Sequence, residues 1–197
     1  MSRRADSPRS RADLHAATGV LLVTREPPLA PAQSNGQPAT VTANPAEGVE
    51  ILIAVWDDGS VTALHGHVDL GTGLRTALAQ IVAEELEVEL AAVRMVLGDT
   101  ALAPNQGPTI ASASIQIHAV PLRQAAAQAR AWLVAQAAQV AQVAGAQRPL
   151  DPRELLNGRH VELTLSFDAP LKSPGTYRVV GTSVPRVDIP AKAMGEA

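Results

Sequence analysis

The sequence predicts an α+β domain, and three observations carry that prediction. Residues 50–56 form a continuous apolar run rich in β-branched side chains, and residues 60–65 form a second such run beyond Asp57-Asp58-Gly59. Leu74, Leu78, Val82 and Leu86 then recur every fourth residue, which places one apolar stripe on a helix. After a short alternating run, Val93-Arg94-Met95-Val96-Leu97, comes a long alanine-rich stretch with a helical stripe of its own. Taken in order, these give a β-hairpin and short strands packed with two helices in one α+β layer.

Composition narrows the function classes. A chain of 197 residues has room for one domain with appendages, and 46% hydrophobic residues suffice for a packed core. With only Trp56, Trp132, Phe167 and Tyr177 as aromatics, and a net charge of -3, the chain offers neither stacking platforms nor a field for phosphate backbones, so nucleic acid is not expected as a partner. The absence of cysteine excludes a disulfide, a thiolate zinc site, a cysteine nucleophile and a cysteine-ligated iron–sulfur cluster on this chain. Arg3, Arg4, Arg9 and Arg11 lie near the start, but no apolar run of export length follows them, so they read as a solvated basic tail. No window approaches the roughly 20 apolar residues of a membrane helix, which makes cytoplasm the default location, with the periplasm as the alternative.

Each element has its own reason. Residues 1–47, with Pro27-Pro28, Pro31, Pro38 and Pro45 among polar residues, read as a flexible Pro-rich tail or linker; its one apolar run, Val20-Leu21-Leu22-Val23, is able to add a single strand. Order is expected from about residue 48 onward. The Asp58-Gly59 step is a hairpin signal, because glycine accepts the positive φ such a turn demands. A small-residue loop, residues 66–73, leads directly into the first helix, and a second loop, residues 101–114, precedes a helix expected from about 115 to 144. Eleven alanines between Gln124 and Gln147 favour that helix, with Leu122, Ala125, Ala126, Ala129, Leu133, Ala137 and Val140 along its stripe and Pro121 in its first turns. Beyond it lie strand candidates at 160–167, 177–180 and 185–189. The chain then stops at Lys192-Ala193-Met194-Gly195-Glu196-Ala197 without a recognisable cap.

Chemistry-bearing residues are few. Both loops are rich in residues that leave backbone N–H groups exposed ahead of a helix, the arrangement that cradles anions. The residues alone leave open a plain tight turn at Gly71-Thr72-Gly73 and a capped helix start at Thr109, Ser112 and Ser114. His65 and His67 would share one strand face with no third ligand nearby, so a hydrogen-bonded pair is expected and no metal site. Glu84 and Glu85 point apart on a helix and read as solvated charges. No serine has a convincing His and Asp context, so no catalytic residue is assigned.

A resemblance goes further. Asp58-Gly59-Ser60-Val61-Thr62, residues 66–86 beginning Gly66-His67-Val68-Asp69-Leu70-Gly71-Thr72-Gly73, and residues 93–100 ending Gly98-Asp99-Thr100 resemble the molybdenum hydroxylases. Specifically, they are similar to the molybdopterin-binding large subunit of the xanthine dehydrogenase/aldehyde oxidase family, of the nicotinate dehydrogenase and isoquinoline 1-oxidoreductase type. Pro104-Asn105-Gln106-Gly107-Pro108-Thr109, residues 122–127, Tyr177-Arg178-Val179-Val180-Gly181 and residues 185–192 continue the likeness.

The resemblance implies part of a molybdopterin-binding domain, with molybdenum-molybdopterin cytosine dinucleotide as cofactor. Gly71, Thr72 and Gly73 correspond to the family's Gly-Gln-Gly loop, a hydroxyl standing at Thr72 where the family has a carboxamide, and Arg75, Thr76 and Gln80 match as they stand. Gly107, Thr109, Ser112 and Ser114 fit the family's Gly-Thr-x-x-Ser-x-Ser loop, with Pro108 inserted. The complete enzyme would hydroxylate an N-heteroaromatic or an aldehyde with oxygen from water and pass electrons to a [2Fe-2S] iron–sulfur subunit. The family's Gly-Gly-x-Phe-Gly-Gly and Gly-Glu-Pro-like segments do not occur here. Residues 48–197 are therefore expected to be a partial domain ending at a domain border, inactive without the remaining molybdopterin-binding domains. The alternative is a non-catalytic remnant or interaction module whose docking surface is the alanine-rich helix.

Overall fold

A computed structural model describes residues 8–27, 48–144 and 151–196. Five strands, β1 (Val20–Arg25), β2 (Glu50–Trp56), β3 (Val61–His65), β4 (Val93–Leu97) and β5 (His160–Thr164), form one mixed sheet in the order β4-β3-β2-β1-β5. β2 runs antiparallel to both neighbours, whereas β3 with β4 and β1 with β5 are parallel pairs. The helices are α1 (Arg11–Ala16), α2 (Leu74–Leu86), α3 (Ala119–Ala144), α4 (Pro152–Leu156) and α5 (Ile189–Ala193).

The unbroken apolar run of β2 follows from burial on both faces, every one of its residues being buried. On one face Val55 and Ile53 join Leu21, Val23, Val61 and Ala63 against α2 and α3. On the other, Ile51, Ala54 and Trp56 pack with Val20, Leu22, Leu64 and Leu14 of α1. Leu52 is the extra residue of a bulge opposite Val23 and Thr24, so it turns to the helical face beside Ile53.

The expected hairpin and first helix form as the residues dictate. Gly59 takes φ +83°, and the Asp58 carboxylate accepts the Ser60 amide N–H at 2.9 Å. Leu74, Leu78, Val82 and Leu86 are all buried on α2. The second long helix starts with a wide π turn, Ser114–His118, that runs directly into α3, so Pro121 sits in continuous helical backbone just after that turn, where its missing N–H leaves out one helical bond. Ala125, Ala126, Ala127 and Ala129 are fully buried, the short side chains letting α3 come close to the sheet and α2. The alanine face in the amino-terminal half of α3 is thereby used inside the domain, whereas Val134 and Val140 further along the helix are exposed.

Three expectations need correction. The stretch 1–47 is not a tail throughout: of it, residues 8–27 are described, and they hold α1, capped reciprocally by Ser10 and Asp13, and β1, which lies between β2 and β5 with Val20 to Val23 at 0% exposure. Residues 1–7 and 28–47 lie outside the described residues. The strand candidates at 177–180 and 185–189 are not strands, because side chains of α2 take the place of a neighbouring strand. Glu84 accepts the N–H groups of Arg178, Val179 and Val180 at 2.8, 2.6 and 3.0 Å, Gln80 Nε2 donates to the carbonyls of Val179 and Thr182, and Thr76 Oγ1 accepts the Val187 N–H. Nor are Glu84 and Glu85 solvated, at 2% and 1% exposure. Lys172 pairs with Glu84 at 2.7 Å and Arg123 with Glu85 at 2.6 Å, and these countercharges offset the desolvation of the two carboxylates. Residues 169–188 thus lie as a strap across α2 and α3.

Candidate functional site

β3 and β4 run parallel and finish level, His65 opposite Leu97, so the loops that follow them emerge on the same side of the sheet. The carboxyl ends of adjacent parallel strands are where α/β sheets collect ligands. Gly66 is required at this junction: a Cβ there would collide with the carbonyl oxygen of Pro104 and approach the Gln106 nitrogen to 2.8 Å.

Three consecutive residues stitch the loops together. The Gly66 N–H donates to Gln106 Oε1 at 2.8 Å, His67 Nδ1 lies 2.7 Å from Ser114 Oγ, and the Val68 N–H donates to Thr109 Oγ1 at 3.0 Å. His67 Nε2 also lies 3.3 Å from the Gln106 carbonyl oxygen, so one imidazole touches both ends of the second loop. Between those ends, Ala111 and Ser112 both take φ +54°, a left-handed backbone that side chains normally avoid and that marks stored strain.

The loops enclose a cleft of about 340 Å³. Thr72, Thr109, Ser112 and Ser114 line it together with Val68, Leu70, Leu74, Ile110, Ala111 and Ile115. Leu70 is 68% and Ile110 51% exposed, so the rim of the cleft is apolar and open.

The other sequence-predicted residues lie elsewhere. Arg75 Nη1 donates to the Met95 carbonyl, and the Thr76 and Gln80 side chains hold the strap, so all three work within the fold. Gly107, at φ +78°, donates its N–H to Asn105 Oδ1 and shapes the second loop. Gly71 and Gly73 shape the first, at φ +91° and +79°.

The anion cradle expected in the first loop is already filled. Asp69 Oδ1 accepts the N–H groups of Gly71 and Gly73 at 3.0 and 3.1 Å, and its Oδ2 accepts the Arg75 N–H at 3.1 Å. Burial tends to raise this carboxyl, but the three N–H groups and the Arg186 guanidinium outweigh it and hold it below the usual range. A phosphate at those amides would have to displace Asp69. Arg186 closes the loop from outside, donating to the Gly71 carbonyl at 2.7 Å while paired with Asp188.

The histidine pair has a third member. The His118 ring, from the π turn, centres 4.3 Å from that of His67, which centres 5.3 Å from that of fully buried His65. Burial, followed by the neighbouring imidazoles of His67 and His118, pushes His65 down to about 3, and the His67 amide N–H donates to its Nδ1. Among the described residues no group of three His, Asp or Glu side chains is arranged to hold a metal ion, and no helix is long and apolar enough to cross a membrane.

Sequence reasoning missed the roles of Asp69, His67 and Arg186. Only Asp69 left a signal, an aspartate two residues ahead of a glycine in a loop that opens a helix.

The sequence is similar to those of known proteins. A nicotinate dehydrogenase subunit of Pseudomonas putida is 50% identical over 202 residues, covering 95% of this chain and 17% of that protein. Xanthine dehydrogenase 1 of Arabidopsis thaliana is 36% identical over 77 residues, 39% of this chain and 6% of that protein, and the xanthine dehydrogenase/oxidase of Mus musculus is 32% identical over 74 residues, 38% and 6%. The chain therefore spans 17% or less of the length of these curated relatives. Residues 3–169 match the family described as Molybdopterin cofactor-binding domain, a match that takes in the whole sheet, α2, α3 and both loops, and the chain belongs to that family.

Proposed function

We propose that this chain forms one wall of the cofactor site in a molybdenum hydroxylase, and that the cleft between the two loops receives the pterin. The observation that carries the reading is the cleft itself, in a chain of the molybdopterin-binding family. Apolar walls from Leu70, Leu74, Ile110 and Ile115 suit a flat heterocycle, and the hydroxyls of Thr72, Ser112 and Ser114 suit its polar edge. The donor set fits the pterin and does not fit a phosphate at the first loop, where Asp69 holds the amides of Gly71, Gly73 and Arg75.

The cofactor, in its cytosine dinucleotide form, supplies the redox chemistry of hydroxylating an N-heteroaromatic or an aldehyde with water as oxygen source. The chain's own residues bind and orient. Thr72 and Ser112 meet the ligand from opposite loops, Gly71, Gly73 and Gly107 set the loop shapes, and Arg75, Thr76 and Gln80 keep α2 and the strap in place behind them. The partners are the remaining molybdopterin-binding domains or subunit and a [2Fe-2S] iron–sulfur subunit.

Co-purification tests this. The tagged chain, isolated from cells that make the cofactor, is expected to bring down a molybdopterin subunit and an iron–sulfur subunit, together with stoichiometric molybdenum and cytidine monophosphate released on acid hydrolysis. A chain that retains neither subunit and no molybdenum rules the reading out.

A further inference from the structure

Ser114, on the wall of the cleft, is hydrogen-bonded to a ring nitrogen of a buried histidine. His67 Nε2 faces the Gln106 carbonyl oxygen at 3.3 Å, and a carbonyl can only accept, so the Nε2 atom carries the proton. In the neutral ring Nδ1 is then a bare acceptor, and at 2.7 Å from Ser114 Oγ it takes the serine's only proton. What Ser114 has left to offer the cleft is oxygen lone pairs.

We propose that His67 is a positioning residue that fixes Ser114 as a hydrogen-bond acceptor toward the cleft, so that the ligand presents an N–H group there and not a phosphate oxygen. The inference rests on the reading of the cleft as a pterin site and decides which part of the ligand faces the second loop. A fully ionised phosphate oxygen carries no proton and would meet the Ser114 lone pairs head on, whereas the amino-pyrimidinone edge of a pterin offers several N–H donors. The first loop points the same way, since the Asp69 carboxylate occupies its amides and leaves those N–H groups unavailable to a phosphate beside the cleft.

The surroundings keep His67 neutral. It is fully buried, and its ring neighbours are His65 from β3 and His118 from the π turn, with the Arg25 guanidinium beyond His118. Neither imidazole offers a countercharge, and the Arg25 guanidinium is itself paired with the Glu50 carboxylate; burial holds His67 below its ordinary range, against the pull of the Gln106 carbonyl.

Two measurements on the full chain test the proposal. The first is the ¹⁵N spectrum of its imidazoles at neutral pH: His67 is expected to show a protonated Nε2 and an unprotonated Nδ1, and a protonated Nδ1 overturns the proposal whatever the chain binds. The second is binding of 6-methylpterin, which has no phosphate, against binding of pyrophosphate. His67→Asn keeps an acceptor oxygen at the Nδ1 position and is expected to bind the pterin within about twofold of the parent chain. His67→Gln keeps the donor to Gln106 but loses the acceptor, frees the Ser114 proton to swing into the cleft, and is expected to bind about tenfold more weakly. Equal loss in both variants means a packing role and overturns the proposal, as does no loss in either. A parent chain that binds pyrophosphate in the cleft and not the pterin overturns it too, while one that binds neither overturns the pterin site with it.

Discussion

Two carboxylates at opposite ends of α2 perform the same act on different material. Asp69, just before the helix, gathers the N–H groups of Gly71, Gly73 and Arg75; Glu84, near its other end, gathers those of Arg178, Val179 and Val180. Asp69 reaches no more than six residues along the chain and Glu84 reaches 94 to 96. The first therefore shapes a turn that the chain would enter by itself. The second closes a long loop and holds down a segment with no ladder of its own, so much of the domain's order depends on it. Glu84 also has a countercharge, Lys172 at 2.7 Å, and a second buried carboxylate, Glu85, beside it.

The largest effect should come from breaking the distant capture. Glu84→Gln leaves Lys172 without its buried partner and turns three charge-assisted hydrogen bonds into weaker neutral ones, a loss of about 3 kcal/mol. Thermal unfolding should report it as a fall in Tm of roughly 6–12 °C. Burial alone would raise the Glu84 carboxyl; the Lys172 ammonium and the N–H groups of Val179, Val180 and Arg178 overcome that and lower it to about 2 from an ordinary 4.5. A carboxyl depressed by folding contributes its full stability above pH 4.5 and loses it as pH falls toward 2. The parent chain should therefore weaken over that acid window, and Glu84→Gln should show a flatter profile there. Equal acid slopes in the two would mean that Glu84 is not the group that holds the strap.

The local capture should break more gently and in a different way. Asp69→Ala frees the three amides in a loop open enough for water to replace the lost bonds, so the cost is about 1 kcal/mol. The emptied cradle should then behave as the anion site that Asp69 now fills. Phosphate at ten times its dissociation constant should restore about 1.4 kcal/mol to the variant, a rise in Tm of roughly 3–6 °C, while leaving the parent chain unmoved. An identical phosphate response in both would show that Asp69 does not occupy the cradle.

The same contrast explains how much was legible in the sequence. The hairpin around Gly59, the stripe from Leu74 to Leu86 and the alanine-rich helix were readable because each is decided by neighbours within a few residues. β1 was readable as an apolar run, Val20 to Val23, yet its place between β2 and β5 was not, since pairing partners 25 to 140 residues away leave no local mark. Tyr177 to Val180 looked like a strand because β-branched residues favour extended backbone, but the amides of Arg178, Val179 and Val180 go to the Glu84 side chain and not to a ladder. Within the candidate site, resemblance located both loops, and the cleft does bring Thr72, Thr109, Ser112 and Ser114 together. It did not reveal that the Gly71 and Gly73 amides are committed to Asp69, although that capture is local, or that Ser114 is tied to His67, a partnership that follows from how the two loops meet at Gly66.

Thr72 separates folding from binding most cleanly. It is exposed at the tip of the first loop, between the two glycines whose amides Asp69 holds, and it faces the cleft. An exposed hydroxyl outside the capture should matter little to stability, so Thr72→Ala is expected to shift unfolding by less than about 0.5 kcal/mol. If the cleft receives the polar edge of a pterin, the same substitution removes one hydrogen-bonding group from the ligand's side, and 6-methylpterin should bind about three- to tenfold more weakly. Thr72→Gln, which restores the carboxamide found at this place in the resembling family, should bind at least as well as the parent chain. Calorimetric titration of the three chains decides the matter: unchanged affinity across them would take Thr72 out of the site, and a stability loss as large as that of Asp69→Ala would make it part of the local capture.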